Sequence, residues 1–209
     1  MGPSLLVCGF GSFPAAPVNP AAAVTQRLAA SNWTPEGAAT RYLTLPVAWR
    51  GAAERVLDDL ARAPADAVLV VGVAVEADAF RVELQGRNTA AAGRADHLGE
   101  LWTEPHISPG GPARLAATIP AETALQALLG AGLPARLSQD AGDYLCNFTL
   151  YRLLEAAAAP AIGFLHVPQA RECAPGAAFA LDEIELAVRT TVEALALELT
   201  RPGASTATA

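Results

Sequence analysis

The chain has 209 residues, 52% of them hydrophobic and only 17% charged. That length and balance exclude a disordered polymer and fit one medium globular domain with a sizeable core. A net charge of −7, with no Lys/Arg block anywhere, argues against a nucleic-acid or an anionic-membrane partner.

Cys8, Cys146 and Cys173 stand at unrelated spacings, with no CxxC pair and no Cys/His cluster of the kind that binds zinc. Neither a disulfide framework nor a metal centre is expected, and Cys173, in a Pro- and Gly-containing stretch, reads as an exposed loop residue. Met1-Gly2-Pro3-Ser4 leads straight into Leu5-Leu6-Val7-Cys8, without the charged start and long apolar centre of a signal peptide. No apolar run has the length of a membrane span. The expectation is a reducing cytoplasm in which the thiols remain free.

In chain order, Leu5 to Cys8 reads as a buried parallel strand that ends at Gly9. Residues 9–20 form a Gly- and Pro-rich loop carrying Phe10, Phe13 and Asn19, whose rings either plug the core or wall a small apolar pocket. Helical spacing follows over 20–31, with Pro20 suited to a first turn. Arg41 to Leu45 is a second strand, residues 51–62 a second helix and Ala67 to Val73 a central buried strand. That alternation predicts an α/β fold, an open sheet with helices on both faces.

Phe80, Val82 and Leu84 alternate with Arg81, Glu83 and Gln85, as in a strand with one polar face. A Glu on such a face is most often solvated. Residues 89–112 carry no periodicity and read as a long functional loop, with His97 and His106 on the surface. A helix from Ala121 to Leu129, a short strand from Ala135 to Ser138 and a long helix from Leu181 to Leu199 complete the elements outside the stretch considered next. The expected organisation is a single domain over 1–201 and a small, polar, frayed tail over 202–209.

The stretch with most chemical content is residues 140–151. Tyr144, Leu145, Phe148, Tyr151 and Leu154 recur at helical spacing behind Gly142, with Asp140 or Asp143 available to cap the helix. Cys146 then falls in the first turn, where free amides and the helix dipole favour a thiolate. Further on, Ala161 to Pro168 is an apolar strand with His166 near its carboxyl end, where open α/β sheets place ligands. A Cys in an apolar helix and a His closing a strand are most often core residues. Their paired positions at two element ends set a thiol nucleophile and its base beside that bland reading.

These motifs together resemble the type I pyroglutamyl peptidases, cysteine peptidases that remove N-terminal pyroglutamate. Gly9-Phe10-x-x-Phe13 with Asn19-Pro20 is similar to the family's N-terminal loop, Gly142-x-Tyr144-x-Cys146-Asn147 to its nucleophile segment, and Gly163-Phe164-Leu165-His166-Val167-Pro168 to the strand with its base. Counting without gaps from Val71-Gly72, the family's catalytic Glu falls on Glu83 and an Asn on Asn88. The resemblance implies Cys146 as nucleophile, His166 as base and Glu83 as the group that orients it. It further implies a single α/β/α sandwich around a mixed, mostly parallel sheet, Phe10, Phe13 and Asn19 at the substrate, Arg94 near the oxyanion, no cofactor, a small peptide substrate with a blocked N-terminus, and a homo-oligomer.

Two stretches depart from the family. A Gln-Ala-Gly-Gly run after the central strand is replaced by Val73-Ala74-Val75-Glu76, adding bulk and charge where backbone would approach closely. The loop beyond Asn88 reads Arg94-Ala95-Asp96-His97 in place of Arg-Ile-Pro-Asp-Asn. The expectation is retained chemistry with altered recognition. The alternatives are the same machinery on another small acyl or cyclic amide, and a non-hydrolytic binding protein on this fold.

Overall fold

The structure, a computed structural model, describes residues 2–14 and 16–201. The tail expected over 202–209 lies outside the described residues. Strand β1 (Ser4–Phe10) is followed by α1 (Pro20–Ala30), β2 (Ala39–Leu45), α2 (Ala52–Arg62) and β3 (Ala67–Val73). Two short strands come next, β4 (Phe80–Glu83) and β5 (Gln85–Arg87), and then β6 (Arg114–Ala116). The chain continues through α3 (Ala121–Gly130), β7 (Ala135–Ser138), α4 (Leu145–Glu155), β8 (Ala161–Val167) and α5 (Leu181–Thr200).

The main sheet has six strands in the order β2-β1-β3-β8-β4-β7. Every neighbouring pair is parallel except β4 with β8, which makes the sheet mixed and mostly parallel, as expected. Near-continuous burial along β1, β3 and β8 follows from cover on both faces. Leu5, Val7, Leu69, Val71 and Leu165 point to a layer of α1, α3 and α5. Their neighbours in sequence, Leu6, Cys8, Val68, Val70 and Phe164, point the other way, to α2 and α4. Each fully buried side chain of this kind contributes about 1.5–3 kcal/mol.

That parity positions the site. His166 lies two residues beyond Phe164 on β8 and so faces the α2 and α4 layer, the layer that carries Cys146. Glu83 is the register partner of Phe164 across the antiparallel β4–β8 pair, which turns it to the same face.

Four expectations need correction. The alternating run does not continue through Leu84: β4 ends at Glu83, and Gln85–Arg87 pairs with Arg114–Ala116 in a separate two-stranded ladder. Glu83 is not on a solvated face but fully buried, because α4 packs on β5 and closes over that side. Neither Asp140 nor Asp143 caps α4. Gly142 has φ 86°, a left-handed turn that leaves Asp140 accepting from the Gly142 amide at 2.9 Å, and Tyr144 takes the cap position without a side-chain bond. Cys173, read as an exposed loop residue, is half-buried against the α1/α3/α5 core.

Candidate active site

Cys146 is the second residue of α4. The first backbone bond made at this helix end is from Phe148 N–H to Tyr144 O, at 3.0 Å. The amides of Leu145, Cys146 and Asn147 therefore have no acceptor among the described residues. They are the free donors that every helix start leaves, and here no side chain occupies them.

The helix start is held by Asn147. Its Oδ1 accepts from Arg87 N–H at 2.8 Å, and its Nδ2 donates to Arg87 O at 2.8 Å and to Thr89 O at 2.9 Å. This fully buried amide pins α4 to β5 through both the N–H and the C=O of one residue, Arg87. Gly72 on β3 makes the room beside it. A Cβ added there would stand 3.0 Å from Cys146 Sγ and 2.7 Å from the Phe164 ring, so only glycine lets the strand pass under the sulfur.

His166 Nδ1 lies 2.8 Å from Glu83 Oε1, with both side chains buried. The carboxylate can only accept, so Nδ1 carries the proton and Nε2 is left for the sulfur. Burial pulls the imidazole towards neutrality, but the Cys146 sulfur and the Glu83 carboxylate outweigh it and push His166 from 6.5 up to about 9. The arrangement favours an imidazolium set between the Cys146 sulfur and the Glu83 carboxyl group. Glu83 Oε2 is buried with no partner among the described residues, so its charge is answered through His166.

Cys146 and His166 line one cavity of about 250 Å³, together with Phe10, Phe13, Asn19 and Arg94. Of the residues expected at the site, Glu83 alone is outside that lining, standing behind His166. Phe10 closes β1, with its ring 6.4 Å from that of Phe164, which in turn lies 4.6 Å from the His166 ring. Phe13 is fixed by a reciprocal backbone pair with Ala16, at 3.1 and 2.9 Å. Asn19 is occupied structurally: its Oδ1 caps α1 at Ala21 N–H and its Nδ2 donates to Gly11 O. It shapes the loop that carries both rings.

Arg94 reaches the cavity from the long loop. Its guanidinium lies 3.9 Å from the centroid of the Tyr144 ring, and its carbonyl accepts from Trp49 Nε1 at 2.9 Å. Asp96 holds the loop in shape, accepting from the amides of Trp49, Leu98 and Glu100. Val73 and Val75, which replace family residues in the departing run, both line the cavity. Asp96 and Gly72 show no sign of a site role in the chain alone, and Tyr144 and Asn147 stand there only as members of the nucleophile segment. Asp96 with Gly99 three residues on is a turn signal that the chain does carry. Among the described residues, no group of three or more His, Cys, Asp or Glu side chains could hold a metal ion.

Residues 4–199 match a family model described as pyroglutamyl peptidase. The chain belongs to the pyroglutamyl peptidase family. It is 34% identical over 171 residues to pyrrolidone-carboxylate peptidase 1 of Ralstonia nicotianae, covering 79% of this chain and 78% of the relative. Against the pyrrolidone-carboxylate peptidase of Chromobacterium violaceum it is 32% identical over 202 residues, 95% of this chain and 93% of the other. A mutant pyrrolidone carboxyl peptidase from the hyperthermophile Pyrococcus furiosus superposes with a TM-score of 0.86 at 27% identity, over 94% of this chain and 99% of that one. For this member of the pyroglutamyl peptidase family, fold and family agree with what the motifs implied. Among the described residues, no helix is long and apolar enough to cross a membrane.

Proposed function

We propose that this chain is a cysteine peptidase that removes the pyroglutamyl residue from peptide N-termini, with Cys146 as nucleophile, His166 as acid and base, and Glu83 as the residue that positions His166. The observation that carries the reading is the Glu83–His166 bond of 2.8 Å behind the cavity shared by His166 and Cys146, in a chain of this family.

The chemistry follows from those positions. The Cys146 thiolate attacks the scissile carbonyl, and the oxyanion that forms lies against the unoccupied amides at the start of α4. As the carbonyl re-forms, the C–N bond breaks, and His166 gives its proton to the leaving amine. The thioester on Cys146 is then attacked by water. His166 takes a proton from that water, pyroglutamic acid leaves and the thiolate returns. Side chains and water supply every proton and electron pair in this cycle.

Phe10 and Phe13 wall the acyl pocket, Asn19 shapes it through the loop, and Arg94 stands at its polar edge. The small volume suits one ring. Val73 and Val75 on the wall favour a second reading in which a related small cyclic amide is also accepted. The non-hydrolytic binding reading has no such observation in its favour. We further propose that residues 2–201 act as one domain, in the cytoplasm, where the three unbridged cysteines stay reduced. A homo-oligomer would use exposed apolar side chains such as Leu98 and Leu101, and light scattering on the purified chain tests it.

Hydrolysis of a fluorogenic pyroglutamyl amide by wild type and Cys146→Ser, under reducing conditions, tests the function. Turnover by wild type and none by the variant is expected. No turnover by wild type would overturn the substrate, and turnover by the variant would overturn the nucleophile.

A further inference from the structure

A second cavity, of about 550 Å³, meets the first at Ala141, Gly142 and His166. Its other lining residues include Ala74, Arg81, Arg136, Ser138 and Asp140, from the β4–β7 edge of the sheet and the loop after it. The first cavity has aromatic walls and Cys146. The second has neither, and its walls are charged.

On the peptidase reading, this geometry determines which part of the substrate goes where. With the acyl ring between Phe10 and Phe13, the scissile carbonyl lies at Cys146, and the leaving nitrogen must reach His166 to take its proton. The leaving chain therefore departs across His166, the titratable side chain common to both cavities. It enters the second.

Arg81 stands directly opposite His166 in the antiparallel register, so both side chains issue from the same face. Among the described residues the Arg81 side chain makes no hydrogen bond and no ion pair, and its Nε is buried without a partner. The neighbouring acids are already answered. Asp78 is bound by Arg136 at 2.8 Å, which holds its carboxyl below the usual range, and Asp140 by Arg87 at 2.5 Å. Arg81 is thus the uncompensated cation of this groove, with donors for a carboxylate.

We propose that the groove behind His166 receives the leaving peptide, and that Arg81 selects substrates with a carboxylate on the first leaving residue. That carboxylate is either an acidic side chain or the terminal carboxylate of a dipeptide.

Steady-state hydrolysis of three substrates separates the sources: pyroglutamyl-glutamate α-amide, pyroglutamyl-glutamine α-amide and pyroglutamyl-glutamine free acid. The second carries no carboxylate. Wild type is expected to show a KM roughly fivefold lower for at least one of the other two, the size of an ion pair in a solvated groove. The advantage should shrink with added salt, vanish in Arg81→Gln and widen in Asp78→Asn, which releases Arg136. Equal KM values for all three in wild type would overturn the proposal. So would an advantage that survives Arg81→Gln. Should that variant fail to fold, an unchanged ratio in the exposed-site variant Asp78→Asn overturns it instead. A pyroglutamyl coumarylamide, which lacks both carboxylates, tests the peptidase reading separately: no turnover of it fails that reading rather than the groove.

Discussion

Glu83 and His166 sit on adjacent antiparallel strands, with Glu83 two register steps from a direct cross-strand partnership and its Oε1 2.8 Å from His166 Nδ1. The offset matters. A directly opposite residue, here Arg81, would meet the imidazole flank, whereas the diagonal carboxylate reaches the ring nitrogen facing away from the sulfur.

Replacing Glu83 with Gln should therefore lower kcat roughly hundredfold or more, because an amide no longer fixes the tautomer or stabilises the imidazolium. KM for a pyroglutamyl amide should change little. A parallel rise in KM would show that the variant had distorted the acyl cavity instead. The alkaline limit of activity should also move down, since the Glu83 charge helps to hold the proton on His166.

The pH dependence follows from the same group. His166 is raised from 6.5 to about 9, so its protonated form stabilises the fold fully below 6.5, and that stability is lost as pH rises through about 9. Activity that needs the imidazolium should fall over the alkaline part of the same window. Thermal unfolding midpoints between pH 6 and 10 check it, and Cys146→Ala should lose stability at lower pH than wild type. Identical curves for the two proteins would mean that the sulfur does not hold that proton.

The three thiols should separate cleanly. Cys8 is buried in the sheet, and burial pushes its thiol far up; the half-buried Cys173 is raised for the same reason. Cys146 alone has a helix start and a base beside it. At neutral pH, limiting iodoacetamide should label Cys146 and leave the others unmodified by peptide mapping. Preferential labelling of Cys173 would contradict the ion-pair arrangement.

Asn147→Ala should destabilise the fold by about 3 kcal/mol, since it strands the Arg87 amide and carbonyl and the Thr89 carbonyl in a buried place. Denaturant unfolding measures this. Asn147→Asp should recover none of the loss: its carboxylate can accept from Arg87 N–H but sets a buried anion against the carbonyls of Arg87 and Thr89.

Much of this arrangement is visible in the chain, and the rest is hidden for identifiable reasons. The strands Ala67–Val73 and Ala135–Ser138 and the helical run after Tyr144 show in local spacing, which reflects burial on a nearby face. The ladder of Gln85–Arg87 with Arg114–Ala116 does not, because its residues neither alternate nor lie near each other in sequence. Glu83 is the clearest case: its alternation with Val82 reports a change of face, while what covers that face is decided by α4 packing on β5, far along the chain. Resemblance placed it where periodicity could not. The helix cap is not legible in the chain because Gly142 redirects it after Asp140, and a left-handed turn leaves no period to detect.

The most direct measurement is an acid quench of wild type during turnover of a pyroglutamyl amide, followed by mass spectrometry of the peptide that carries Cys146. The account predicts a pyroglutamyl adduct on that peptide, labile to hydroxylamine as a thioester should be and missing in Cys146→Ala. Sustained turnover by Cys146→Ala, or an adduct on any other residue, would contradict it.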